Sequence, residues 1–232
     1  MRKSSTTQRR KQLVSIMVVG ILILVLAVAG IGIHIISKYI PSKEQMNLTE
    51  YYGQPAEGEM VLVLGTDIME ERALKSGDQI YLPQDIVSTY LNQRYYWDSG
   101  NQQILYATPS SLEKFPASEA GDGEVWVRDG KVYLSLSFVQ KYTDLDFYEY
   151  QEPARVVIRH EFTGVNVATV KKDTSIRYRG GIKSPVLTEV KKGDTLIYMQ
   201  ALEDWVQVST MDGYIGYVQK KVLSDMETTD FE

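Results

Sequence analysis

The chain has 232 residues, 30 acidic and 25 basic, with two histidines and no cysteine. That length suits one ordinary domain or two to three small ones, and the missing cysteine excludes disulfides, thiolate metal sites and a lipidated N-terminal cysteine. His34 and His160 furnish neither a histidine-based catalytic triad nor a multi-histidine metal site, so no cofactor is expected.

Residues 1–12 form a basic tail with Arg2, Lys3, Arg9, Arg10 and Lys11. From Leu13 to Ile36 there is no Asp, Glu, Lys or Arg; as a helix this run would be about 36 Å long, enough to cross a hydrocarbon core of roughly 30 Å. Residues 13–36 therefore predict a single transmembrane helix in a lipid bilayer, and the basic flank puts the N-terminus in the cytoplasm and everything after Ser37 outside. Ala27-Val28-Ala29 has the pattern of a signal-peptidase site, but apolar residues continue beyond it, which favours an uncleaved anchor. His34 falls near the outer interface. All 30 acidic and 20 of the 25 basic residues follow the anchor, a net charge of −10. That balance argues against nucleic acid and against electrostatic capture of acidic polymers, so a ligand would be held by shape, stacking and neutral hydrogen bonds.

Residues 37–59 are polar, contain Pro41, Gly53, Pro55 and Gly58, and read as a stalk, with a short helix through Tyr51 capped by Ser42. From Met60 the pattern changes to short apolar runs broken by turns. Met60 to Leu64 is a strand, Ala73 to Leu82 a hairpin around Ser76-Gly77-Asp78, and Pro83 opens a helix whose apolar stripe is Ile86, Val87, Tyr90 and Leu91. Tyr95 to Trp97 and Gln103 to Ala107 close a ββαββ unit. The same order recurs 52 positions later: Ile80-Tyr81-Leu82 matches Val132-Tyr133-Leu134, Tyr96 matches Tyr148, and Ile104 and Tyr106 match Val156 and Ile158. This predicts a duplicated module over 60–108 and 124–160, joined by a polar linker, with Asp129-Gly130 as a tight turn in the second copy. Trp97 and Trp126 read as sheet-packing residues, and His160 as a solvated strand end.

Tyr81-Leu82-Pro83, the apolar helix stripe and Trp97-Asp98 before a closing strand resemble the copper amine oxidase N-terminal-like module of exported Gram-positive proteins. The second copy departs from that pattern, with Ser135 for the proline and Glu149 for the tryptophan. One histidine outside the membrane does not make a copper site, whatever the family name implies.

Residues 168–223 predict a small β-barrel with strands at Ala168–Val170, Ser175–Arg179, Thr195–Gln200, Trp205–Ser209 and Tyr214–Val218. Arg179-Gly180-Gly181, Ser184-Pro185-Val186-Leu187, Val190-Lys191-Lys192-Gly193-Asp194, Trp205-Val206-Gln207-Val208 and Gly213-Tyr214-Ile215-Gly216-Tyr217-Val218 resemble the bacterial Src-homology-3-type domain. Two readings of its aromatics stand. Tyr178, Tyr198, Trp205, Tyr214 and Tyr217 form a groove for a peptidoglycan peptide or glycan, or they fill a small core. Arg177 and Arg179 alternate outward and would meet a peptide carboxylate, or they are simply solvated. Residues 224–232 read as an acidic linker or tail.

Asp144-x-Asp146 with Glu149 suggests the acidic strand motif of family 18 glycoside hydrolases, but Glu149 points to the opposite face of a strand, so no catalytic residue is assigned. Anchor, stalk, duplicated module and barrel, in that order, resemble the N-terminal half of membrane-anchored family 18 glycoside hydrolases of Clostridia-like bacteria. The resemblance implies a non-catalytic wall-targeting region with a catalytic barrel beyond Glu232. A passive spacer or docking platform of an envelope assembly or sensor is the alternative.

Overall fold

The computed structural model describes residues 17–26, 37–160 and 164–230, in two units, Met1–Lys43 and Glu44–Glu232. In the first, residues 17–26 are helical, and their large apolar side chains are exposed, from Val19 at 55% to Met17 at 66%. The rest of the expected span, including Ala27-Val28-Ala29 and His34, lies outside the described residues. Among the described residues no helix is long and apolar enough to cross a membrane.

The second unit is mainly β with a few short helices. Its first sheet runs β7 (Val125–Arg128), β8 (Lys131–Ser135), β3 (Gln79–Pro83), β2 (Asp67–Ser76), β1 (Glu59–Leu64), β10 (Ala154–His160) and β9 (Leu145–Gln151). All neighbours are antiparallel except β1 and β10, which run parallel. Val61, Leu62, Val63, Val156 and Ile158 at its centre are completely buried, as strands covered on both faces must be.

The spacing of 52 holds in the hydrogen-bonded registers. Leu74 pairs with Tyr81 as Trp126 pairs with Tyr133, and Tyr96 pairs with Leu105 as Tyr148 pairs with Val157. In the β3–β8 contact Tyr81 faces Ser135, Leu82 faces Leu134 and Pro83 faces Tyr133, so Leu82 opposes its own counterpart and the two flanking pairs interchange under the offset of 52, as a local twofold requires. Pro83 and Ser135 both stand just before a helix with nearly the same backbone angles, φ −54° and −63°. The proline presets that conformation, whereas Ser135 reaches it while its hydroxyl accepts from the Phe138 N–H. The helices themselves are short: α2 (Gln84–Ile86) continues as a wide turn over Val87–Leu91, and α3 spans Leu136–Gln140. The wide turn swings Tyr90 out of the expected apolar stripe to 55% exposure, while Ile86, Val87 and Leu91 stay buried.

The two hairpins end in different places. In the second half β9–β10 joins the main sheet beside β1, but in the first half β4 (Tyr95–Asp98) and β5 (Gln103–Ala107) form a separate sheet with β6 (Leu112–Pro116). The linker expected between the copies therefore contains a strand, with Phe115 packed against Phe138 at 4.5 Å between ring centres.

The second sheet runs β13 (Val186–Val190), β12 (Thr174–Arg177), β16 (Ile215–Gln219), β15 (Trp205–Ser209), β14 (Thr195–Leu202), β11 (Val165–Thr169) and β17 (Glu227–Thr229). Its ladder stays open at β13 and β17 and does not close into the expected barrel. Two other expectations are corrected at those edges. Residues 227–229 pair with β11 and are not a free tail. On the β13 side the segment read as a stalk is packed: the Met46 N–H donates to the Val186 carbonyl and the Val186 N–H to the Glu44 carbonyl, both at 2.7 Å. Asn47, not Ser42, caps helix α1 (Leu48–Tyr52), because its side chain accepts from the Thr49 and Glu50 N–H groups. The apolar residues of this segment explain why it does not extend into water: Met46, Leu48 and Tyr51 pack on the second sheet's core, and Tyr52 is 2% exposed.

Arg155 closes this junction. It is 2% exposed, donates from Nε and Nη2 to the Asp212 carbonyl at 3.3 and 3.2 Å and from Nη1 to the Glu152 carbonyl at 3.1 Å. Its guanidinium sits 4.3, 5.0 and 5.3 Å from the rings of Tyr150, Tyr214 and Tyr52. The carbonyls of Gly213 and Ile215 accept from the Tyr52 and Tyr51 hydroxyls at 2.8 and 2.7 Å. Gly213, at φ +84°, has no room for a side chain, since a Cβ there would lie 2.9 Å from Val157.

Arg155→Ala is expected to cost roughly 2–4 kcal/mol, from lost charge-assisted hydrogen bonds and cation–π contacts, and Gly213→Ala about 1–3 kcal/mol, from the left-handed backbone and the collision. Urea unfolding of each variant measures both. Burial pushes the Tyr51 pKa up to about 12 and raises that of Tyr52 as well. A raised phenol pKa gives stability that is complete below the unfolded value near 10 and is lost as pH climbs through the folded one. The Tyr51 part is roughly 2–3 kcal/mol. Melting temperature should therefore drop between pH 10 and pH 12 together with the rise in tyrosinate absorbance, and a flat melting temperature across that window would rule out the coupling.

Candidate functional site

The residues expected to bind a ligand separate into two groups. Strand alternation sends Val206, Val208 and Val218 into the core of the second sheet, all fully buried, so Trp205, Gln207, Tyr217 and Gln219 face outward. Trp205 lies directly opposite Gln219, and Gln207 opposite Tyr217, which makes Trp205 and Tyr217 diagonal neighbours on one face. All four are half-buried. Trp205 leans on Gly180, where a Cβ would come within 3.3 Å of the indole. None of these side chains is hydrogen-bonded among the described residues, and the four carry no charge. The arrangement offers two flat rings for stacking and two neutral amides with free donors and acceptors.

The other expected residues belong to packing. Tyr178 and Tyr198 lie against the core of the second sheet, and Tyr178 meets Tyr51 edge to face at 6.0 Å. Tyr214 packs 5.9 Å from Tyr52 and under Arg155, so it forms part of the junction and not of a groove. Arg177 does not alternate outward. A bulge between Ile176 and Arg177 breaks the alternation, both residues are buried, and the Arg177 Nη1 donates to the Ser184 carbonyl at 2.7 Å. Burial pulls its pKa below the usual guanidinium value. Arg179 is exposed with its guanidinium 5.3 Å from the Tyr178 ring. Gln207 and Gln219 were missed in the sequence, although the matching spacings Trp205-x-Gln207 and Tyr217-x-Gln219 were there to be read.

Comparison with protein families, with curated proteins and with solved structures found no match. The site must therefore be argued from its own chemistry. On the first sheet, Asp146 lies opposite Arg159 and Glu149 opposite Val156, on alternate faces of β9. The Glu149 carboxylate accepts from Lys75 and Gln151, and the Lys75 hydrogen bond holds it below the usual carboxylate range.

Proposed function

We propose that this chain is a membrane-anchored, extracellular envelope protein whose second sheet, a Src-homology-3-like module, holds a peptidoglycan glycan or peptide against Trp205, Gln207, Tyr217 and Gln219. The observation that supports this reading is the uncharged outer face of β15 and β16, with two aromatic rings and two unengaged amides. A ligand approaching such a surface gains little from ion pairing, and stacking with neutral hydrogen bonds takes over. In this reading the first sheet is a duplicated copper amine oxidase N-terminal-like module that positions the binding face. The region acts without catalysis, as the targeting part of a family 18 glycoside hydrolase.

The anchor is tested by adding protease to intact cells. The domains should be removed, leaving a short membrane-bound fragment. A soluble protein beginning at Gly30 would show instead that Ala27-Val28-Ala29 is cleaved.

Binding is tested by retention of the full chain, in detergent micelles, on isolated cell walls. Retention should change less than about twofold between low and high salt, because screening acts on charges far more than on stacked rings. Tyr217→Ala should lower it about tenfold, while melting at the parent temperature, since Tyr217 is only half-buried. Failure to bind at either salt concentration would favour the spacer, and binding abolished by salt would refute the neutral-face argument.

A further inference from the structure

Equivalent tyrosines of the two halves have different fates. Tyr81 is fully buried, and its hydroxyl lies 3.0 Å from the carbonyls of both Gly121 and Gly123. Tyr133, its counterpart 52 positions on, is half-buried, and its hydroxyl has no hydrogen-bond partner among the described residues. Instead it lines an open cavity of about 360 Å³.

The local twofold shows what is missing. At the same spacing, positions 121–123 correspond to 69–71, so Met69, Glu70 and Glu71 are the residues that would cover Tyr133. They stay on β2, where the register leaves these three opposite the single residue Leu62. Gly121 can fold back because it adopts φ +69° and passes so close to Trp126 that a Cβ would sit 2.9 Å from the indole. Met69 has a side chain and remains in the bulge. The place that a short piece of main chain fills at Tyr81 is therefore empty at Tyr133.

The walls of that space specify chemistry. Tyr133 provides one unengaged donor, which calls for an acceptor such as a peptide carbonyl. Four carboxylates, Glu59, Glu70, Glu71 and Asp85, line the same cavity against two cations, Arg72 and Lys131. Its volume is at the small end of the range for ligand sites, roughly 300–1,000 Å³, which suits a few residues of extended chain.

We propose that this cavity binds a short, extended, amine-bearing peptide whose main-chain carbonyls occupy at Tyr133 the position that Gly121–Gly123 occupies at Tyr81. Small residues face the tyrosine, as glycines do in the internal copy, and the ammonium group of the peptide lies among the four carboxylates. The site is independent of the outer face of the second sheet, so either can fail without the other.

Isothermal titration of the full chain in detergent micelles with the synthetic peptides Ala-Gly-Lys-Gly-Lys and Ala-Gly-Asp-Gly-Glu tests it. The lysine peptide should bind one to one and at least about tenfold more tightly than the acidic one, a difference that shrinks with salt. Tyr133→Phe, an isosteric change at a half-buried ring, should weaken it about five- to tenfold through the lost hydrogen bond. No saturation by the lysine peptide at millimolar concentration, equal affinity for the two peptides, or unchanged affinity in Tyr133→Phe would overturn the proposal. So would Tyr133-dependent binding of an N-acetylglucosamine oligomer in place of the peptide.

Discussion

A buried guanidinium organises the region from Glu44 onward. Taking a charge out of water costs several kcal/mol unless its donors are satisfied and its field is compensated. No carboxylate pairs with Arg155 among the described residues. Compensation comes from two backbone carbonyls and the faces of three tyrosines. Those groups belong to three separate stretches of chain: α1 before the first sheet, the β9–β10 hairpin, and the 210–214 turn of the second sheet. Each must be in place for Arg155 to remain buried, so the two sheets and the segment before them form one packed body.

That constraint also explains the shape of the 210–214 turn. Thr210 accepts from the Tyr214 N–H and holds the turn tight, and Gly213 lets the backbone lie against Val157 with its carbonyl available to Tyr52. The turn that presents these carbonyls leads directly into β16, whose outer face carries Tyr217 and Gln219. Docking of the two sheets and orientation of the proposed binding face are thus set by the same few residues. A wall ligand held on that face would be held rigidly with respect to the first sheet.

The first sheet shows how repetition and asymmetry coexist. Hairpin registers repeat because they depend on local alternation and on turns such as Asp129-Gly130, where both residues take positive φ, 50° and 75°. Placement does not repeat. β10 finds the free edge of β1, whereas β5 finds β6, whose positions 52 residues on, 164–168, fall largely in β11 of the second sheet. The covered Tyr81 and the uncovered Tyr133 follow from the same divergence, since a chain can fold over only one of them with glycines at 121 and 123.

Strand alternation, turn residues and the offset of 52 were legible because each is a property of a few neighbouring residues, and side-chain direction on a strand follows from period two alone. The mainly β character, the β15–β16 ladder that carries Trp205 and Tyr217, and the hairpin registers could be read in this way. Polarity and scattered glycine and proline made residues 37–59 read as a stalk, and an acidic composition made 224–232 read as a linker or tail. Both are ordered by partners distant in the sequence, the first by Val186, 141 positions from Gln45, and part of the second by Val165 through Val167, 60 to 64 positions back. The burial of Arg177 depended on a bulge, and that of Arg155 on rings from three segments. Only the tertiary structure could decide these, because the cost of desolvating a charge is known only once it is clear which distant groups surround it.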